Sequence, residues 1–243
     1  MSIAENIARV RANIALAARE AGRSASEITL VGASKMNDAD ACREAIAAGI
    51  DALGENREQE MTKKLAEHAY DGAPLHFIGH LQRNKVKNVV GKVALLESVG
   101  SLELLAAVNR QAEKLGIVQE ILLEVNIGGE EAKSGFAPEA LEQAAEEARK
   151  CANVRVRGLM CIPPVAEGEH GSLPYFEKVH ALFVDINEKL YDNKLDILSM
   201  GMSGDYEDAV RAGATMVRVG TAIFGARSYA QQDKQTLKGD IQA

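Results

Sequence analysis

Eight short apolar runs, each followed by a stretch of helical periodicity, recur between residues 28 and 220, and this alternation limits the folds open to the chain. The runs are ITLVGA (28–33), DALGE (51–55), LHFIG (75–79), ALLES (94–98), EILLEVNI (120–127), VRVRGLMCI (154–162), DILSMG (196–201) and TMVRVG (215–220). Near-continuous apolar runs of this length are what parallel strands buried on both faces show. The segments between them carry helix starts at Asp38, Ser101 and Pro138, and stops at Gly49 and Gly116. A chain of 243 residues built this way, with no break in composition, predicts one (β/α)8 TIM barrel spanning 1–243. A doubly wound open sheet is the alternative. Residues 2–21 form an extra N-terminal amphipathic helix; charges throughout and no unbroken apolar core set it apart from a signal peptide. The tail 230–243 is polar and is expected to add little to the core.

Composition removes several function classes. The formal net charge of −7 disfavours a nucleic-acid or anionic-membrane surface, and the absence of Trp disfavours a base-stacking platform. No apolar stretch approaches the roughly 20 residues that span a bilayer. Cys42, Cys151 and Cys161 are odd in number and show no CxxC pairing, which fits a reducing compartment. A cytoplasmic protein is the expectation.

The last strand run carries an arginine where a buried strand should be apolar. Arg218 sits between Val217 and Val219, stays charged at ordinary pH, and must therefore face a partner. Around it lie Ser203 with Gly204, and Gly220 with Thr221, small residues that let a backbone wrap a phosphate. In a TIM barrel the chemistry gathers at the C-terminal strand ends, and phosphate sites recur after strands seven and eight. Applied here, that rule collects Ser34 and Lys35, Glu55 and Asn56, Gly79 and His80, Asn126, Met160, Met202 and Ser203, and Gly220 and Thr221. The phosphate-like pocket falls after strands seven and eight on this independent count as well.

Lys35 ends the first strand, on the seam shared with Arg218. A partly desolvated barrel mouth and a nearby guanidinium both favour the neutral amine that attacks carbonyls. A nucleophilic lysine beside a phosphate clamp suits a phosphorylated aldehyde or ketone: pyridoxal phosphate, or a sugar phosphate in a Schiff-base aldolase. An arginine facing a pyridine nitrogen donates a hydrogen bond but keeps its proton, so pyridoxal phosphate held this way is a weak electron sink.

The segments LVGASK (30–35), LGEN (53–56), HFIGHLQRNK (76–85), EVNIGGEEAKSGF (124–136), VRGLM (156–160), MGMSGDYEDAV (200–210) and MVRVGTAIFGAR (216–227) resemble, in order, the pyridoxal phosphate homeostasis proteins, single-domain relatives of the alanine racemase barrel. The resemblance implies pyridoxal 5'-phosphate as cofactor, Lys35 as its Schiff-base lysine and Arg218 as the residue facing the pyridine nitrogen. It further implies phosphate contacts from Ser203, Gly220 and Thr221, with Met202 and Gly204 close by. Asn56 matches the asparagine lining the cofactor, and His76 opens the signature running to Asn84 and Lys85. The chain departs from the family pattern at Met36–Asp38, at Arg57 and at Gly128–Gly129, which touches the pocket mouth and not the anchoring residues.

That family implies vitamin B6 handling without amino-acid turnover, with B6 vitamers and the apo-enzymes that use them as partners. Racemases of this barrel class take a second acid/base from a C-terminal β-domain across a dimer; little chain follows Tyr229, so a monomer is expected. A single-domain racemase is the alternative and would need a donor opposite Lys35 from Tyr206, His80 or Cys161. His76 and His80 bracket a strand end, where i,i+4 spacing does not bring two metal ligands together. The basic cluster Arg83, Lys85, Lys87 and Lys92 reads as a solvated helix face.

Overall fold

The computed structural model describes residues 1–130, 133–165, 167–168 and 170–225. The tail 230–243, Tyr229, and Ala226 and Arg227 of the last quoted segment lie outside the described residues.

Among the described residues, eight parallel strands close into a barrel in sequence order: β1 (Thr29–Ala33), β2 (Ala52–Glu55), β3 (Leu75–Phe77), β4 (Leu95–Val99), β5 (Gln119–Val125), β6 (Val154–Cys161), β7 (Ile197–Ser199) and β8 (Met216–Val219). The ring closes where β8 pairs with β1, with Arg218 opposite Val31. The barrel expectation therefore holds, each predicted run overlapping its strand; β4 reaches one residue further, to Val99, and β5 begins one residue earlier, at Gln119. β3 and β7 are shorter than their apolar runs, ending at Phe77 and Ser199, although the Ile78 and Met200 amides still donate to Glu55 and Met216 of the neighbouring strands.

Side chains alternate across each strand. Val31, Ala52, Leu95, Leu122, Met160 and Met216 meet inside the barrel as a buried apolar floor. The opposite faces of the same strands join one outer core with the helices. Those helices are α1 (Ile3–Glu20), α2 (Ala39–Ala47), α3 (Glu58–Ala66), α4 (Val86–Val89), α5 (Leu102–Leu115), α6 (Leu141–Arg149), α7 (Leu173–Tyr191), α8 (Tyr206–Arg211) and α9 (Thr221–Phe224). Their starts follow the local chemistry. Asp38 and Ser101 accept the Ala41 and Leu104 amides as N-caps, and Gly116 closes α5 in the left-handed region. Pro138 opens a 3-10 turn, Pro138–Ala140, that leads into α6.

α1 begins with a capping box between Ser2 and Glu5 and buries Ile7, Val10, Ile14, Ala17 and Ala18 on one stripe. That stripe packs against α2, α8 and α9. The Asn6 side-chain amide donates to the Ile223 carbonyl at 2.8 Å, so the extra N-terminal helix fixes the short helix that follows β8.

Candidate functional site

The upper interior of the barrel is polar where its floor is apolar. His76, Glu97, Ser199 and Arg218 project from β3, β4, β7 and β8 and are all buried. Glu97 accepts from His76 Nδ1 at 2.8 Å and from the Ser199 hydroxyl at 2.6 Å. Arg218 Nη1 donates to Ser199 Oγ at 2.6 Å and lies 3.8 Å from Glu97 Oε2, while Nη2 donates to the Cys161 carbonyl at 2.8 Å. These contacts use two of the guanidinium's five N–H groups. Burial alone would raise the Glu97 carboxyl, but the hydrogen bond and charge of His76, together with Arg218, hold it below the ordinary value. The partner demanded by the Arg218 charge is thus Glu97, reached partly through Ser199.

Lys35 stands in the turn that follows β1, half-buried at the rim next to β8. Across the β1–β8 seam, Ser203 Oγ accepts from the backbone amides of Gly220 and Ala222, each at 3.2 Å. Nothing would stand within 4 Å of a Cβ added at Gly204, so the backbone there is open on its side-chain side. Ser203, Gly204, Gly220 and Thr221 therefore come together as a small cradle of hydroxyl and amide donors at the start of α9. Met202 borders it, exposed, its own amide given to Asp205 at 2.6 Å.

Opposite Lys35 in the ring, β5 brings Glu124 to the mouth. A cavity of about 550 Å³ there is lined by Asn56, Gly79, His80, Glu124, Asn126 and Lys133, among others. Only glycine fits at position 79, because a Cβ would lie 2.3 Å from the Asn56 carbonyl oxygen; that backbone contact sets Asn56 at the rim. Asn56 Oδ1 and Glu124 Oε2 are buried and have no hydrogen-bond partner among the described residues. Burial raises the Glu124 carboxyl, against the Ser134 hydrogen bond and the charges of His80 and Arg218. A larger groove of about 1200 Å³ runs beside it along Ser98, Ser101, Arg110 and Ser134. The chemistry-bearing residues gather at the smaller cavity and the β1–β8 seam.

Residues 6–228 match the model of the alanine racemase N-terminal domain. The chain is 42% identical over 229 residues to the pyridoxal phosphate homeostasis protein of Aquifex aeolicus, covering 94% of this chain and 100% of that one. The Pseudomonas aeruginosa protein of the same name is 43% identical, with 94% and 97% covered. The chain belongs to the pyridoxal phosphate homeostasis protein family. Its fold matches PipY of Synechococcus elongatus, solved with pyridoxal phosphate bound, at a TM-score of 0.80 and 31% identity, covering 92% of this chain and 100% of PipY. An alanine racemase from Clostridium difficile, 19% identical, shares the fold at a TM-score of 0.69, over 86% of this chain and 58% of the racemase.

Of the residues expected at the site of this family member, Lys35, Asn56, Met202, Ser203, Gly204, Gly220 and Thr221 reach the rim. His76 and Arg218 lie lower, buried and tied through Glu97 and Ser199. Two of the three candidate donors for a racemase point elsewhere. Tyr206 sits on α8 outside the barrel, its hydroxyl accepting from Asn13 of α1 at 2.9 Å. The Cys161 side chain belongs to the outer core, and burial pushes its thiol up to about 12. His80 alone of the three reaches the mouth. Sequence reasoning missed Glu97, Glu124 and Ser199, although Glu97 and Glu124 each break an apolar run as Arg218 does.

Proposed function

We propose that this protein holds pyridoxal 5'-phosphate through a Schiff base on Lys35 and serves the intracellular handling of vitamin B6 without substantial amino-acid turnover. The observation that carries the reading is the shared seam. A rim lysine just after β1, a cradle after β7 and β8, and a permanently charged arginine on β8 lie on neighbouring strands of the ring. The residues fit the cofactor: the cradle supplies hydroxyl and amide donors suited to a phosphate, and Lys35 supplies the amine. When bound, the cofactor contributes a reactive aldehyde conjugated to an aromatic nitrogen heterocycle.

The chain's own residues determine what can follow. Arg218, fixed by Ser199 and the Cys161 carbonyl, can donate to a ring nitrogen but gives up no proton, so it does not draw electrons into the ring as an acid would. The Ser203 hydroxyl, its oxygen held by the Gly220 and Ala222 amides, can donate to and orient a phosphate. With Tyr206 and Cys161 turned away from the mouth, two of the three proposed proton donors are unavailable to an amino-acid substrate, which favours retention over turnover. A monomeric, cytoplasmic carrier that passes the cofactor to apo-enzymes completes the proposal; light scattering in solution tests its first part.

The deciding experiment adds pyridoxal phosphate, records the absorbance before and after borohydride, and maps the modified peptide. A pyridoxyl group on Lys35, absent in Lys35→Ala, is expected. An adduct on another lysine, or steady inversion of L-alanine by the loaded protein, would overturn the reading.

A further inference from the structure

The turn that carries Lys35 is gripped from outside the barrel by charged side chains with no part in the mouth. Lys64, on α3, is 3% exposed. Its Nζ donates to the Ser34 carbonyl at 2.8 Å and to Glu55 Oε1 at 2.7 Å, and lies 3.0 Å from Glu60 Oε1. Glu60 Oε1 in turn accepts the Met36 amide. The two residues flanking Lys35 are thus held by one connected group, Ser34 through its carbonyl and Met36 through its N–H. Fully buried Glu55 closes the arrangement, its Oε1 also accepting from the Ser34 hydroxyl at 2.7 Å and from Tyr70 at 3.0 Å.

Two features show that this does more than fill space. Met36 has φ of 62°, a left-handed conformation that costs a non-glycine residue about 1–2 kcal/mol. Its side chain is half exposed, so packing does not impose that geometry; the Asn37 amide, donating to the Ser34 carbonyl at 3.1 Å, closes the turn, and the Met36 amide's hydrogen bond to Glu60 holds it from outside. Burying an ammonium with two carboxylates is also expensive, and apolar residues of similar volume usually serve the fold as well. What apolar residues could not do is reach a backbone carbonyl and, through Glu60, a backbone amide on either side of one lysine. Burial tends to lower the Lys64 ammonium, but the Glu55 charge and the hydrogen bonds to Glu55 and Glu60 outweigh it and keep the group protonated.

We propose that Lys64 and Glu60 are positioning residues for Lys35, fixing the left-handed turn that aims its amine into the barrel mouth. The proposal rests on the reading of Lys35 given above. It predicts that the covalent step depends on the grip while phosphate-anchored binding does not.

The test compares two measurements on the full chain. One is the rate of chromophore formation with pyridoxal phosphate; the other is calorimetric affinity for 4-deoxypyridoxine phosphate, which lacks the aldehyde. Glu60→Ala frees the Met36 amide yet leaves the Lys64–Glu55 pair in place. It is expected to slow chromophore formation by about 10- to 100-fold, the cost of a small misalignment at a reacting centre, with affinity for the analogue changed less than about twofold. Glu60→Gln, which keeps an oxygen acceptor for Met36, is expected to restore most of the rate. Lys64→Met made together with Glu55→Gln, so that no carboxylate is stranded at Glu55, should give the same split. An unchanged rate in Glu60→Ala, or equal losses in both measurements, overturns the positioning role. If the unsubstituted protein forms no adduct at Lys35, the parent reading falls, and the positioning role with it.

Discussion

Two buried charged groups flank the rim, one inside the barrel and one behind it, and they are built in opposite senses. Inside, a single carboxylate, Glu97, is shared between an arginine and a histidine. Behind β1 and β2, a single ammonium, Lys64, is shared between Glu55 and Glu60. The inner group spends two N–H donors of Arg218 on Ser199 and the Cys161 carbonyl and keeps its charge inside the barrel. The outer group turns its hydrogen bonds onto backbone around Lys35 and shows nothing to a ligand. One arrangement sets what the site attracts; the other sets where its nucleophile stands. Mutations in the two should therefore fail in different ways.

The largest effect is expected from Glu97→Ala, which strands the buried Arg218 charge and the His76 ring. Removing one partner of a buried pair costs about 3–5 kcal/mol. At roughly 2–4 °C per kcal/mol for a domain of this size, the melting temperature should fall by on the order of 10 °C. A melt within about 2 °C of the parent would show that Ser199 and the Cys161 carbonyl satisfy Arg218 by themselves.

The second effect is acid sensitivity from the same carboxylate. A carboxyl held below its ordinary value of 4.5 gives stability that is present above that value and lost as pH falls through the folded one. Denaturant midpoints of the parent should thus drop faster below about pH 4.5 than those of Glu97→Gln. Parallel curves would remove Glu97 from the acid response.

These effects bear on how far the sequence speaks for itself. The barrel was legible because parallel strands buried on both faces leave uninterrupted apolar runs, and even the short ALLES run proved to be β4. Arg218 was legible because one charge in such a run has no solvent to face. The same logic applies to Glu97 in LLESV and Glu124 in ILLEV, yet a carboxylate near a strand's end also reads as a solvated terminus. Lys64 left no such trace. Lys63 and Lys64 are adjacent on α3, and only the rotation of that helix against the barrel decides that Lys63 is exposed and Lys64 buried. Tyr206 fails for the same reason: its distance from the mouth depends on how α8 meets α1.

A smaller effect separates the cradle from both charged groups. Ser203→Ala removes the acceptor shared by the Gly220 and Ala222 amides without stranding a charge. Affinity for pyridoxal phosphate should fall by about tenfold, the value of one or two hydrogen bonds, with affinity for pyridoxal unchanged. Equal losses for both ligands would place Ser203 outside the phosphate contacts.

The smallest effect has the opposite sign. Glu124 is 7% exposed, with Oε2 unpartnered among the described residues, and burial raises its carboxyl above 4.5. A raised carboxyl pKa means that the folded state takes up the proton more readily than the unfolded chain. Its contribution is favourable at low pH and is lost as pH rises through the folded value. Once ionised, the group is therefore a burden on the fold, unlike Glu97, which has His76, Ser199 and Arg218 as hydrogen-bonding or cationic neighbours. Glu124→Gln keeps an oxygen for the Ser134 hydroxyl and removes the charge, so it should stabilise the protein by about 1 kcal/mol at pH 8, or roughly 2–4 °C in melting temperature. The gain should shrink toward pH 5. A gain independent of pH, or a loss at pH 8, would mean that the β5 carboxylate is paired in solution and that the contrast with Glu97 does not hold.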